Sequence, residues 1–117
     1  MQFVINLEEF GKRIFLFRLE GEMDVSTAPA LRARLEETPL KTVRFVLFDL
    51  SGLKYVDTIG VGRLAAEARR LQDMEKEVAL IAPKGQVLKV LESTNLGKAV
   101  PIFGGLEEAH KNLRTGR

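Results

Sequence analysis

The sequence predicts a single α/β domain with a mixed central sheet, an N-terminal hairpin and about four helices, in the order ββαβαβαβα. A chain of 117 residues has the length of one domain. Two short extended segments lie close together at the start, as in an antiparallel hairpin. After them, strand-like and helix-like segments alternate, as in a parallel sheet with right-handed crossovers. We expect the domain to cover 1–113 and a disordered C-terminal tail to cover 114–117.

The N-terminal half contains the hairpin and the first helix. The hairpin strands are predicted over 2–7 and 13–20, where the sequence alternates or has an extended pattern. A helix is predicted over 27–37 because two leucines four residues apart fall on one helical face. We expect Ser26 to be the N-cap of that helix and Pro39 to end it.

The C-terminal half alternates strands with helices. Residues 43–50 are nearly continuous in apolar side chains, which is typical of a central strand covered on both faces. The helix that follows carries an apolar stripe from Val61 to Leu71. The remaining short elements are strands over 78–82 and 100–103 and helices over 86–92 and 106–113.

Composition narrows the class of function. The formal net charge is +2, and 18 Lys and Arg are interleaved with 16 Asp and Glu. A nucleic-acid-binding surface needs a basic stripe with aromatic residues, so we expect no nucleic-acid partner. No apolar run reaches the ~18 residues that span a bilayer, and we expect neither membrane insertion nor a secretion signal. The absence of cysteine fits a reducing compartment, so we expect a cytoplasmic protein.

The sequence contains no constellation typical of catalysis or of metal binding. His110 is the single histidine, and it lies among charged residues of the last predicted helix, so we interpret it as a surface residue. The spacings typical of zinc and calcium sites do not occur. We therefore expect a protein that is not an enzyme and that has no metal and no cofactor.

A glycine pattern raises the possibility of a nucleotide site. The segment that begins at Gly60 has the pattern GxGxxA. The dinucleotide fingerprint requires this loop to follow a strand directly, with an acidic residue about 20 positions on. Here the segment SGLKYVD intervenes after the predicted strand end at Leu50, and the acidic residue is missing. We prefer the interpretation that Gly60 and Gly62 let the first helical turn pack closely, and a nucleotide-binding module stays an alternative.

Asp49 could accept a phosphoryl group, as the aspartate of a response-regulator receiver does. It lies near the end of a predicted buried strand in a chain of that size. The acidic pair after the first strand and the Lys after the last strand of that family are absent here. We interpret Asp49 as a turn-forming residue before Ser51 and Gly52.

Asp57 and Thr58 lie at the predicted start of the second helix. Either side chain can N-cap that helix, which contributes about 1 kcal/mol. A hydroxyl at a helix N-terminus lies beside unpaired backbone N–H groups and the positive end of the helix dipole. A phosphate on it would be stabilised there and would add about 1.5 to 2 negative charges. Such a charge could expel a partner from this surface without refolding the domain.

Two segments of the chain resemble a known family. The segment FDLSGLKYVDTIGVGRL resembles the signature of STAS domains, specifically anti-sigma factor antagonists, which is roughly hDLSxhxhhDSSGLGhL with h apolar. The matching residues are Asp49, Leu50, Ser51, Asp57, Gly60, Gly62 and Leu64. Upstream, LEGEMDVSTAPALRARL resembles the family's GELD segment, including Gly21, Glu22 and Asp24. The predicted element order agrees with the family over nearly the whole chain.

The resemblance implies a switchable binding module. The unphosphorylated antagonist would bind an anti-sigma factor that is also a Ser/Thr protein kinase, and so release a sigma factor. The kinase would phosphorylate the antagonist at Thr58 and break the complex, and a PP2C-type phosphatase would reset it. The residues implied to face the partner are Asp24, Asp57, Thr58, Gly60, Gly62 and Arg63.

One position departs from the family pattern. The family usually has two hydroxyl residues after the signature Asp, and the second position here is Ile59. The alternative is therefore a STAS domain that acts as a non-phosphorylated scaffold. The resemblance also leaves open whether the chain forms a weak homodimer.

Overall fold

The computed structural model describes residues 2–10 and 13–115, which form a five-stranded sheet flanked by helices on both faces. The strands are β1 (Phe3–Phe10), β2 (Ile14–Met23), β3 (Phe45–Val56), β4 (Glu77–Ile81) and β5 (Ile102–Phe103). The helices are α1 (Pro29–Glu36), α2 (Thr58–Asp73), α3 (Gly85–Glu92), α4 (Leu96–Ala99) and α5 (Leu106–Thr115). The last two residues of the predicted tail, 116–117, lie outside the described residues.

The sheet is mixed and runs in sequence order from β1 to β5. β1 and β2 pair antiparallel, with Phe3 opposite Gly21 and Phe10 opposite Ile14. The pairs β2–β3, β3–β4 and β4–β5 are parallel. The predicted hairpin and alternating order are therefore confirmed. The structure adds α4, a four-residue helix that is too short to show a helical period in the sequence.

Helices on the two faces bury two separate apolar clusters. The larger cluster lies between the sheet and the helices α1, α2 and α3, and at its centre the rings of Phe17 and Phe48 stack with centroids 5.8 Å apart. The smaller cluster packs Ala109 and Leu113 of α5 against the opposite face. Each fully buried Leu or Phe contributes about 1.5–3 kcal/mol to stability. The larger cluster fixes α2 against the sheet, and with it the site described below.

Two strands extend beyond their predicted ends. β2 continues to Met23 and β3 to Val56, and the two extensions pair with each other from Glu20 opposite Gly52 to Met23 opposite Val56. The register shifts between Arg18 and Glu20, just before this pairing, and again between Gly21 and Glu22 within it, as at a β-bulge. A hydrophobic run cannot reveal the extension because it depends on pairing between segments that are about 30 residues apart.

The turn predicted at Asp49 is wrong, because Asp49 lies within β3. Its Oδ1 accepts a hydrogen bond from the Ser51 backbone N–H at 2.9 Å, and Arg18 Nε donates to its Oδ2 at 3.0 Å. Burial raises the pKa of the Asp49 carboxyl, but the hydrogen bonds from Ser51 and Arg18 outweigh burial and hold the pKa below its usual value. The carboxylate is thus engaged within the sheet.

The N-cap predicted at Ser26 is also wrong. α1 begins at Pro29 after Ala28, and no side chain caps it. The Ser26 hydroxyl instead donates to Asp24 Oδ1 at 2.8 Å, two residues upstream. Pro29 fits the first helical turn because its missing N–H would have no intrahelical partner there.

Within 2–10 and 13–115, no helix combines the length and the apolar content needed to cross a bilayer.

Candidate functional site

The candidate site lies where β2 and β3 end and α2 begins. Asp57 alone separates the last residue of β3, Val56, from the first residue of α2, Thr58. The seven-residue connection expected before the helix is therefore wrong, because six of those residues belong to β3. The β2–α1 turn lies alongside, since the Asp57 N–H donates to the carbonyl oxygen of Met23 at 3.3 Å.

Asp57 is the N-cap of α2; the sequence left open whether Asp57 or Thr58 has this role. Its backbone is extended, with φ −102° and ψ −176°, and its carboxylate accepts from the Gly60 N–H at 2.8 Å. Thr58 is thereby left exposed, and its hydroxyl has no hydrogen-bond partner among the residues that the structure describes. The junction therefore presents one unengaged hydroxyl at the positive end of a 16-residue helix.

Gly60 and Gly62 have different surroundings. A Cβ on Gly60 would collide with the carbonyl oxygen of Met23 and lie 2.7 Å from Val56 Cγ2. Close packing is thus confirmed for Gly60. It is wrong for Gly62, which has nothing within 4 Å of an added Cβ and lines an open groove of about 770 Å³ between α2 and α4. Because Met23 already occupies the space beside Gly60, a pyrophosphate cannot approach the backbone there as a dinucleotide site requires.

Asp24 organises the β2–α1 turn. Its Oδ1 accepts from the Ser26 N–H at 2.9 Å and the Thr27 N–H at 3.1 Å, in addition to the Ser26 hydroxyl. The hydrogen bond from the Ser26 hydroxyl is the main cause that holds the pKa of Asp24 below its usual value. Its Oδ2 has no partner within the described part of the chain. Asp24 and Asp57 thus each use one oxygen locally and keep the other available at the same end of the sheet.

Gln86 on α3 completes the end of β3, a role that the sequence did not suggest. Its side-chain amide accepts from the Val56 N–H at 3.0 Å and donates to the Val56 carbonyl at 2.7 Å. The neighbouring strand β4 pairs with β3 only as far as Asp49. A side chain therefore replaces the missing strand just before the site.

Two exposed apolar side chains flank the junction. Val25, in the β2–α1 turn, is 66% exposed, and Ile59, in the first turn of α2, is 52% exposed. Val25 lies two residues after Met23, whose carbonyl faces Gly60. The signal for each residue in the sequence is an apolar side chain that belongs to no predicted apolar stripe.

Arg63 lies in the second turn of α2 and points to a buried carboxylate. Its Nη1 is 3.5 Å from Oε2 of Glu67, one turn further along the helix. Glu67 is fully buried, although its charge suggested an exposed helix face. His110, in contrast, is exposed on α5, as predicted.

Comparison with known proteins identifies the family. The model of the STAS domain family matches residues 7–109. The chain belongs to this family. This STAS domain is 28% identical over 92 residues to the anti-sigma F factor antagonist of Lysinibacillus sphaericus. The aligned residues cover 78% of this chain and 79% of the relative.

Solved structures share the fold of this STAS domain. An anti-sigma factor antagonist from Mycobacterium paratuberculosis superposes with a TM-score of 0.84 at 22% identity, over 97% of this chain and 95% of that one. The Bacillus cell fate determinant SpoIIAA in its phosphorylated form gives a TM-score of 0.70 at 23% identity, over 94% and 99% of the two chains. The resemblance expected from the signature segments is therefore confirmed at the level of family and fold.

Proposed function

We propose that this STAS domain is an anti-sigma factor antagonist that acts in the cytoplasm and is switched by phosphorylation of Thr58. In its unphosphorylated form it binds an anti-sigma factor that is also a Ser/Thr kinase, and so releases a sigma factor. Phosphorylation by that kinase ends the complex, and a PP2C-type phosphatase restores it. The relative from Lysinibacillus sphaericus carries the name of such an antagonist, and SpoIIAA exists in a phosphorylated form.

One observation carries the proposal: the Thr58 hydroxyl is exposed and unengaged at the start of α2, next to the exposed side chain of Ile59. A kinase needs an accessible hydroxyl, and Asp57 takes over the capping role that would otherwise occupy it. Ile59 and Val25 supply apolar area that a partner can cover, since exposed apolar groups concentrated in one place are typical of protein-binding surfaces. Asp24, Asp57, Gly62 and Arg63 would surround this contact, whereas Gly60, also expected there, is buried and does not face a partner.

The same geometry explains how a phosphate would act. Unpaired N–H groups and the dipole of α2 favour a dianion at Thr58, so phosphorylation is compatible with the fold. The dianion would lie next to Ile59, and a partner that covers Ile59 would have to desolvate it at a cost of several kcal/mol. The domain would therefore lose its partner while keeping its structure.

The test is the intact mass of the purified chain after incubation with ATP and an anti-sigma factor kinase from the organism that encodes it. We expect the mass to rise by one phosphate, and Thr58→Ala to abolish the increase. Thr42→Ala is the matched control, because Thr42 is also an exposed threonine but lies outside the site, and it should retain the phosphate. A complex that forms with no phosphate added would instead support the scaffold alternative, which Ile59 in the second hydroxyl position favours.

A further inference from the structure

We propose that Arg32, Arg63 and Arg70 form a preorganised carboxylate-binding surface, held in place by the buried Glu67, that receives an acidic face of the anti-sigma factor kinase. The proposal rests on the proposed function and adds to it the chemistry of the partner's surface. It concerns the face of α1 and α2 that extends from Arg63, five residues after Thr58, to Arg70 in the last turn of α2.

Glu67 is a carboxylate with no exposed surface and three guanidinium neighbours. Its Oε1 accepts from Arg70 Nε at 3.1 Å. Its Oε2 lies 3.5 Å from Arg63 Nη1 and 4.0 Å from Arg32 Nη1, and it has no hydrogen-bond partner among the described residues. The buried Glu67 carboxylate therefore attracts all three arginines but forms a hydrogen bond with only one of them, Arg70.

The cluster carries more positive charge than its carboxylates neutralise. Besides Glu67, it contains Glu36, whose Oε2 accepts from Arg32 Nε at 3.0 Å. Three guanidinium groups thus face two carboxylates, which leaves one net positive charge. A pair that served only to neutralise Glu67 would need a single arginine, because one guanidinium can bind both carboxylate oxygens.

The three arginine side chains remain partly exposed although their guanidinium groups lie within 4.0 Å of Glu67. The side chains of Arg32, Arg63 and Arg70 are 42%, 34% and 40% exposed. Each guanidinium has five N–H donors, and most of these have no partner in the ion pairs described above. Fixed, half-exposed guanidinium groups lose little entropy on binding, and their planar fork matches a carboxylate.

The arginine cluster begins close to the proposed site on the same helix. Arg63 lies five residues after Thr58 on α2, and Arg32 extends the surface onto α1. The occupant would therefore be a carboxylate-bearing surface of the same kinase that contacts Ile59. Its charge would be opposite to that of the arginines, which favours rapid and specific association.

The experiment measures the Kd of the purified kinase for the full chain at several salt concentrations. Arg32→Gln and Arg70→Gln should each raise Kd about tenfold and reduce its salt dependence. Arg34→Gln is the matched control, since Arg34 lies on α1 and is 34% exposed, but its only ion pair among the described residues is with Glu37, at 3.6 Å. It should change Kd less than about twofold.

Thermal unfolding of each variant separates binding from stability. A loss of stability in Arg32→Gln and Arg70→Gln with unchanged Kd and salt dependence would show that the cluster is only structural and would overturn the proposal. Equal effects of Arg34→Gln would overturn it as well. Failure of the unmodified chain to bind the kinase would contradict the proposed function itself, and the inference with it. Binding of the chain with arginine variants that bind equally well would contradict the inference alone.

Discussion

Gly60 lies where the first turn of α2 meets the backbone at the end of β2 and is buried. Gly62, two residues further along α2, is exposed. The two glycines therefore have opposite requirements, although the sequence presents them as one motif. At Gly60 the obstacle to a side chain is the carbonyl oxygen of Met23, which belongs to a paired strand and cannot move freely. At Gly62 an added methyl group meets no neighbour.

Alanine substitutions at the two glycines should change the free energy of unfolding in opposite directions. We expect Gly60→Ala to reduce the free energy of unfolding by about 1–3 kcal/mol through overpacking. Gly62→Ala should raise it by up to about 1 kcal/mol, because alanine is a better helix former and the site is open. Chemical denaturation of both variants measures the difference. Equal effects at both positions would contradict the contact between α2 and Met23.

Asp24 should respond to the loss of the Ser26 hydroxyl. Because that hydroxyl is the main cause of the lowered pKa, Ser26→Ala should move the pKa of Asp24 up towards its usual value. A carboxylate with a lowered pKa stabilises the fold above its unfolded pKa of about 3.9 and loses that contribution as pH falls through the folded pKa. The stability difference between Ser26→Ala and the parent chain should thus shrink in acid. NMR titration of the Asp24 carboxyl measures the pKa, and an unchanged value would contradict this account.

At the scale of elements, the junction between β3 and α2 depends on a side chain from α3. Val56 has β2 on one side, but β4 has already ended on the other. The amide of Gln86 occupies that second side with one donor and one acceptor. This explains how an edge left open by a short strand can still hold the residues that precede Thr58.

Removal of the Gln86 amide should loosen this junction. Gln86→Leu leaves the N–H and the carbonyl of Val56 without a protein partner, and we expect a loss of about 1–3 kcal/mol in the free energy of unfolding. Gln72→Leu is the control, since it removes a single hydrogen bond to Ala99 on the surface and should cost less. Hydrogen exchange at the Val56 amide reports the local effect. Protection that stays unchanged in Gln86→Leu would argue against the bidentate contact.

The elements that could be predicted are those whose pattern is local. The hairpin, the buried part of β3 and the stripe of α2 depend on the spacing of neighbouring side chains, and the Asp57 cap follows from its place before an apolar stripe. The extension of β3 could not be predicted, because it exists only through pairing with β2. The turn at Asp49 failed for the same reason, since the bulge that places Ser51 beside Asp49 arises from two strands together.

The site could be predicted in part. Its centre at Asp57 and Thr58 followed from helix-terminus chemistry and from the resemblance to a family signature. Its surroundings did not follow, because Val25, Gln86 and Glu67 reach the site or its neighbourhood through tertiary packing. Glu67 in particular is a charged residue in a helix, which ordinarily indicates exposure, and only the three arginines around it account for its burial.

At the scale of the whole molecule, the proposed switch at Thr58 lies on the surface of a domain with a packed interior. The larger apolar cluster holds α2 on the sheet, and neither cluster includes the side chain of Thr58. We therefore expect a charge added at Thr58 to alter the proposed binding surface and to leave the core unchanged. The predicted consequence is that binding and stability respond separately to phosphorylation.

The measurement that tests this claim most directly is the Kd of the anti-sigma factor kinase for the chain with and without a phosphate on Thr58, together with the melting temperature of both forms. We expect phosphorylation to weaken binding about a hundredfold or more, because a dianion must be desolvated at the contact. The melting temperature should stay within a few degrees, since a negative charge at a helix N-terminus is favourable. Equal affinities of the two forms, or a phosphorylated chain that unfolds, would contradict the account.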